Sequence, residues 1–330
     1  MTWTRLTILA LALLPIGGVG AQEVDPFTYE GTYSIIGRDP ATGELGMGVQ
    51  SRAFAVGYRT WTAKGGLAIF AHQAASNPYY GRVGMEMLAA GLEPQEVLDR
   101  LVRSDVDSHR RQVAILHFDG RTAAFTGEGT SDWKGHHCGV DYCAQGNTLA
   151  GPEVVDAMAR SFESSAGQPL ADRLLAALDA AEAVGGDRRG RQAAAMIVVQ
   201  AAAGAGGYSD VTLDIRVNDH PVPLEEMRRL LTVFRSSRVI AEAHDLYDGG
   251  QEEQGLDMLL ALRDRIPEKD NVWLGLARMY LKMDQRGEAL MAIERAVEIN
   301  PRNRGQLPED QDFASLHGDP GFLRIIEGGE

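Results

Sequence analysis

Apolar and polar positions alternate loosely from Thr32 to Arg38 and again from Leu45 to Ser51, with the turn-forming run PATGE, Pro40 to Glu44, between them. A period of two interrupted by Pro and Gly predicts a β-hairpin. Gly66 to His72 is a short apolar run that reads as a buried strand. Tyr80 to Ala90 and Pro94 to Val102 read as helices, the second opening with Pro in its first turn. Gln112 to Asp119 and Arg121 to Thr126 flank Gly120 and predict a second hairpin. Beyond a loop holding two cysteines come helices at about 152–165 and 169–184. The strands AAMIVVQA and VTLDIRVN then follow, divided by the Gly-rich AAGAGGYSD. Strands and helices arriving in runs imply an α+β fold with antiparallel sheets covered by helices, not a doubly wound parallel sheet.

From about residue 236 the pattern is helical throughout. WLGLARMYLKMDQRGEALMAIERAVEINP places Trp273, Leu276, Ala277, Tyr280, Ala289, Ile293, Ala296 and Pro301 at the offsets of a tetratricopeptide repeat. Ala243, Leu246, Leu259, Leu262 and Pro267 fall in register one unit earlier, with Gly255 where a small Ala is expected. Two units rarely bury enough core alone, so they are expected to stack on a helix from Leu224 to Phe234, with DFASLHGDPGFLRII as a terminal cap. Residues 236–330 carry 19 acidic against 11 basic side chains, more than half of the chain's net charge of -14. The shift supports a boundary between domains at 32–235 and 236–330.

The first residues change the picture. Met1 to Arg5 is basic, Leu6 to Leu14 apolar, and Pro15 to Gly20 small and turn-prone, with Val19 and Ala21 preceding Gln22 as in a signal-peptidase site. The expectation is a signal peptide at 1–21, a spacer or propeptide at 22–31, and a periplasmic or secreted protein without a membrane span once the signal is removed. The negative charge argues against nucleic acid and anionic membrane surfaces as partners. In an oxidising compartment Cys138 and Cys143 read as a disulfide. His136 and His137 beside them are adjacent and match no common zinc spacing, so no metal is expected, and no cofactor motif is present.

The stretches TYSIIGRDPATGELGMGVQS, AHQAASNPYYG, RRQVAILHFDG, AAFTGEG, AQGNTLAGPEVVDAMA, GGDRRGRQAAAMIVV and DIRVNDHP run in order through residues 32–235. Together they resemble an uncharacterised bacterial family, a domain of unknown function grouped with the N-terminal-nucleophile (Ntn) hydrolases. The resemblance implies a four-layer α-β-β-α sandwich. It also implies a nucleophile that is the first residue of the processed chain, with its own α-amine as general base; an amine of pKa about 7.7 to 8.0 suits that task. Here that residue is Thr32. Its hydroxyl becomes competent only if the Gly31–Thr32 bond is cut, and Gly before Thr gives the hydroxyl room to approach the carbonyl. The plain alternative is Thr as a good first strand residue.

Other candidates are less defined. Asn147 could donate a side-chain N–H to an oxyanion or stabilise the turn before Pro152. Ser34 shares a strand face with Thr32, and Ser51 ends the paired strand. Gln73 and Asn77 are candidate substrate-binding groups, and Lys64 is a remote candidate for lowering the nucleophile's pKa. In GGDRRGRQ, residues 185–192, Asp187, Arg188 and Arg191 form either a carboxylate-binding rim or an ion-paired solvated turn. Arg110 and Arg111 add to the hint of an anionic substrate. Arg216, Asp219 and His220 lie at a strand end, where His220 is a candidate acid or base but reads chiefly as ordering the turn before Pro221. His72, Thr148, Ala193 and Asn218 stand where the family often carries Thr, Met, Ser and Asp.

The expected activity is hydrolysis of an amide bond in a small anionic substrate through an acyl-enzyme on Thr32, with the repeats either binding a protein partner or shaping the entrance to the site. The rival is a non-catalytic periplasmic ligand-binding or scaffold protein. An uncut Gly31–Thr32 bond would favour the rival.

Overall fold

Both expected hairpins and the long C-terminal helices are present in a computed structural model of the protein, which describes residues 31–328. The expected signal segment, and all of the spacer but Gly31, lie outside the described residues. β1 (Thr32–Asp39) and β2 (Glu44–Ser51) form the first hairpin, followed by β3 (Trp61–Lys64), β4 (Ala68–Ala74), α1 (Tyr79–Ala89) and α2 (Pro94–Ser104). Next come β5 (Arg111–His117), β6 (Thr122–Thr126), β7 (Gly135–Gly139), β8 (Tyr142–Asn147), α3 (Glu153–Ser164), α4 (Leu170–Ala183), β9 (Ala193–Val199) and β10 (Val211–Val217). The rest is helical: α5 (Pro223–Asp248), α6 (Glu252–Arg265), α7 (Asp270–Lys282), α8 (Arg286–Ile299), the single turn α9 (Asn303–Gln306) and α10 (Pro320–Glu327).

The strands form two antiparallel sheets, ordered β10-β9-β2-β1-β8-β7 and β3-β4-β5-β6. Alternation decides what each face buries. Ile36, Leu45, Met47 and Val49 of the larger sheet pack against Ile69, Ala71, Ala114 and Leu116 of the smaller one. On its other face the larger sheet buries Tyr33, Ile35 and Met196 against α3, α4 and the start of α5. Phe70, Val113 and Ile115 of the smaller sheet meet α1 and α2. The α+β class with antiparallel sheets and a helical C-terminal region is as the pattern predicts.

Two differences stand out. The cysteine loop is itself a hairpin, β7 and β8, with Cys138 opposite Cys143 and joined to it by a disulfide. GHHCG and YCAQGN lack apolar alternation; pairing of β8 to β1 and of β7 to β8, not local preference, makes them extended. The helix expected at Leu224 to Phe234 continues to Asp248, through the change in composition near 236. Its first turns bury Leu224, Met227 and Leu231 under the larger sheet, while Ala243 near its end belongs to the core built by α6, α7 and α8. At 1.5 Å per residue, α5 is a strut of about 39 Å serving two cores. Among the described residues no helix is long and apolar enough to cross a membrane.

Candidate active site

Antiparallel pairing brings the start of β1 beside the ends of β2 and β8. Thr32 lies opposite Asn147, and Tyr33 opposite Gln50, which places Ser51 next to Thr32. Thr32, Ser34, Ser51 and Asn147 share faces with the residues of the inter-sheet core. At this end of that core, apolar side chains give way to a buried polar layer completed by Gln73 and Gln112 of the facing sheet.

The centre of the layer is the carbonyl oxygen of Gly31. Ser51 Oγ donates to it at 2.5 Å, Arg189 Nη2 donates at 2.8 Å, and Thr32 Oγ1 stands 2.6 Å away. Thr32 Oγ1 is also 3.1 Å from Ser51 Oγ. Each hydroxyl has one proton, so donation from Thr32 to Ser51 and from Ser51 to the carbonyl satisfies all three groups. In that arrangement a lone pair of Thr32 is left next to the Gly31 carbonyl group.

The amides around it have fixed orientations. Gln112 Nε2 donates to the carbonyls of Gly135 and Gly146, at 3.1 and 2.8 Å, so its Oε1 faces inward. That oxygen accepts from Asn147 Nδ2 and Gln73 Nε2, each at 2.9 Å. Asn147 therefore turns its Oδ1 to the N–H of Gly31, at 2.8 Å. Asn147 thus presents an acceptor to Gly31 N, a role that sequence reasoning did not assign, while one of its two amide N–H groups goes to Gln112. Gln73 Nε2 also donates to the main-chain oxygen of Thr32 at 3.0 Å, while Ser34 donates to Gln73 Oε1 at 2.6 Å. Gln73 thus holds the backbone of Thr32, and Ser34 holds Gln73. Buried polar groups cost stability unless paired, and a fully connected network specifies one geometry.

The loop after α4 supplies the charge. Leu149 bridges to Asp187, and the N–H of Arg188 bonds the oxygen of Thr148, which adopts a left-handed φ of 57°. The side chain of Asp187 is fully buried. Its Oδ1 accepts from Arg189 N and Nε, both at 3.0 Å, and its Oδ2 from Arg189 Nη2 at 2.7 Å and Arg52 N at 3.1 Å. The carboxylate thereby aims the Arg189 guanidinium at Gly31. Arg189 belongs to the GGDRRGRQ cluster, but the sequence does not single it out. Arg188 and Arg191, the expected rim residues, are exposed; Arg191 pairs with Glu182 at 3.3 Å. On the helix side of the sheet, burial, reinforced by the Glu182 carboxylate that accepts its O–H at 2.7 Å, raises the Tyr33 hydroxyl well above the usual phenol range.

The remaining candidates lie elsewhere. Asn77 caps the turn before α1, accepting from Tyr79 N and donating to Asp105. The same Asp105 and the oxygen of Ala75 hold Arg111. Lys64 is exposed at the end of β3, on the edge of the smaller sheet. His220 Nδ1 accepts from Val222 N and orders its turn. His136 and His137 bond separately to Thr126 and Asp156, and no metal-binding group of three side chains occurs among the described residues. A cleft of about 840 Å³ between α4, α5 and α6 is lined by Asp172, Asp179, Arg228 and Arg235. These are already paired with one another, Arg228 with Asp179 and Arg235 with Asp172.

Known proteins share this fold. A Silicibacter pomeroyi protein of known crystal structure is 28% identical, with a TM-score of 0.57, over 62% of this chain and 87% of its own. A search of curated proteins finds no match. The model of a family of unknown function, DUF1028, matches residues 32–227, beginning at Thr32, and the Silicibacter structure carries the same family designation. The chain therefore belongs to DUF1028, a family of unknown function.

Proposed function

We propose that this protein is an exported Ntn-type amide hydrolase whose nucleophile, Thr32, is released by self-cleavage of the Gly31–Thr32 bond. One observation carries the reading: the Gly31 carbonyl oxygen sits between a hydroxyl and a guanidinium, with the Thr32 hydroxyl beside it. Such donors stabilise the negative charge that develops on a carbonyl oxygen under attack. The match to the family beginning at residue 32 supports the same position, as do the two facing sheets with helices on their outer faces, which is the layering of an Ntn sandwich.

In the cleavage step Thr32 Oγ1 attacks the Gly31 carbonyl carbon, and its proton passes by way of Ser51 to the departing nitrogen of Thr32. The product is an ester between the Gly31 acyl group and Thr32. Water hydrolyses that ester, leaving a carboxylate on Gly31 and a free α-amine on Thr32. For a substrate amide, the amine takes the proton from Oγ1 during attack and delivers it to the leaving amine. It then serves as base for the water that hydrolyses the acyl-enzyme. The Arg189 cation beside the site favours the neutral, basic form of the amine.

The antiparallel helices α5 to α8, with a proline recurrence of 34 residues, support tetratricopeptide units at 236–330 and a protein partner for them. The disulfide fits a periplasmic or secreted location.

Intact mass and N-terminal sequencing of the full chain purified from the periplasm test the reading. A chain starting at Thr32 in the wild type, and an uncut chain in Thr32→Ala, are expected. A wild-type chain that retains Gly31 has no free amine at Thr32. The site would then be a ligand holder.

A further inference from the structure

Gly31 is part of the protein, but its atoms occupy the place that the acyl half of a substrate must take. The same Thr32 Oγ1 attacks both, so its carbonyl stands in for the scissile carbonyl, and its N–H for a donor on the carbon next to it. Two features of that place are selective. Asn147 Oδ1 accepts the Gly31 N–H at 2.8 Å, and it cannot turn to offer a donor because Asn147 Nδ2 is held by Gln112 Oε1. A side chain on the α-carbon is refused. A Cβ built at Gly31 comes within 2.5 Å of Arg189 Nε and closer still to Cζ and Nη2, and the φ of 98° is one that L-residues rarely adopt. An arginine at the surface could swing aside. This one is tied through Nε and Nη2 to the buried Asp187 carboxylate and through Nη2 to the Gly31 oxygen.

Resting on the Thr32 reading above, we infer that the substrates are N-acylglycyl amides, cleaved on the carboxyl side of glycine. Asn147 recognises the glycyl N–H, and Arg189 excludes any L-side chain at the α-carbon. In the reaction Thr32 Oγ1 bonds to the glycyl carbonyl carbon as the amine leaves with a proton. Water then breaks the ester and releases an N-acylglycine. Arg189 thus serves twice, as a donor to the carbonyl oxygen and as the wall that makes glycine the residue accepted.

The test is the rate at which the processed full-length protein hydrolyses three 4-nitroanilides: N-acetylglycyl, N-acetyl-L-alanyl, and the pentanoyl analogue in which CH₂ groups replace the glycyl N–H and acetyl carbonyl. The glycyl probe should exceed the L-alanyl one by about 100-fold, at the upper end of what a methylene-sized exclusion gives, and exceed the analogue lacking the N–H by at least as much. Asn147→Ala should lose rate on the glycyl probe while closing its gap to the analogue. Arg189→Gly should bring the glycyl and alanyl rates together at a lower level. Equal rates on glycyl and L-alanyl probes, all abolished in Thr32→Ala, would overturn the inference and leave Thr32 as nucleophile. Hydrolysis of none of the probes by a chain that keeps Gly31 would overturn both.

Discussion

Thr32 Oγ1 and Ser51 Oγ, at the facing ends of two neighbouring strands, stand 3.1 Å apart and share one carbonyl oxygen, that of Gly31. Only the ladder between β1 and β2 brings residues so distant in sequence together. If Ser51 both stabilises that oxygen and relays the Thr32 proton, Ser51→Ala should slow self-cleavage by about 10²- to 10³-fold, the usual cost of one oxyanion donor. Uncut chain should accumulate, as read by mass spectrometry during a timed refolding experiment. Melting should change little, since the serine is small and Arg189 still satisfies the carbonyl.

Asp187 is the anchor of the other donor. Its side chain is fully buried and collects four hydrogen bonds, from Arg52 N and three atoms of Arg189. Asp187→Ala leaves two backbone N–H groups and a guanidinium without their acceptor. Breaking one side of a buried pair costs about 3 to 5 kcal/mol, and the partial exposure of Arg189 puts this case at the low end. The variant should melt earlier and process slowly. Asp187→Asn, which keeps an acceptor, should recover part of the stability but not the aim of Arg189. Equal stability of Ala and Asn variants in urea titration would contradict this.

Much of this geometry is legible in the chain. A β-strand beginning at Thr32, its partner ending at Ser51, and a polar run at Asn147 are all visible as pattern, and pairing does the rest. Arg189 is not legible, because DRRGR offers three arginines with nothing to rank them. The choice is made by a turn in which Asp187 Oδ1 takes the N–H of the residue two positions on. Gln112 is equally hidden, since it begins a strand that reads as apolar and finds its partners through the register of β4 and β5 and across the sandwich in β7 and β8. β7 and β8 are missed for the reason that sheets often defeat local pattern: their stability comes from neighbours far away in sequence.

Gly255 illustrates the same limit in the helical region. In the repeat pattern an Ala is expected there, and in an exposed helix Gly→Ala normally gains about 1 kcal/mol. Here a Cβ at Gly255 would collide with the backbone oxygen of Ala243 on α5. Backbone cannot step aside as a side-chain tip can, so Gly255→Ala should destabilise the protein, by about 1 to 3 kcal/mol as in other overpacked contacts. A melting temperature that rises would show that α5 and α6 separate freely.

The disulfide should matter modestly. Cys138 and Cys143 are five residues apart and already opposed across a hairpin. Closing so short a loop restricts the unfolded chain by about 2 kcal/mol at most. A Cys138→Ala, Cys143→Ala double variant should therefore fold and process, with a stability loss of that order under both oxidising and reducing conditions. The wild type should show the loss only when reduced.

His72 should set an acid limit on stability. It is 1% exposed, with Nε2 3.2 Å from Thr62 Oγ1 and Nδ1 2.9 Å from Ser76 Oγ. Burial holds its pKa down at about 4, against an ordinary value of 6.5. Between those two values the unfolded chain binds a proton that the folded chain refuses, so stability rises with pH across the window. The contribution is complete above about pH 6.5, falls as pH drops, and stops falling near pH 4, where the folded form also takes the proton. At 1.36 kcal/mol per unit the full span is about 3 kcal/mol. Urea titrations across this range should give a shallower slope for His72→Gln than for the wild type, whatever the difference in their absolute stabilities. Parallel curves would mean that the imidazole accepts its proton without leaving the fold, through opening of the contacts to Thr62 and Ser76.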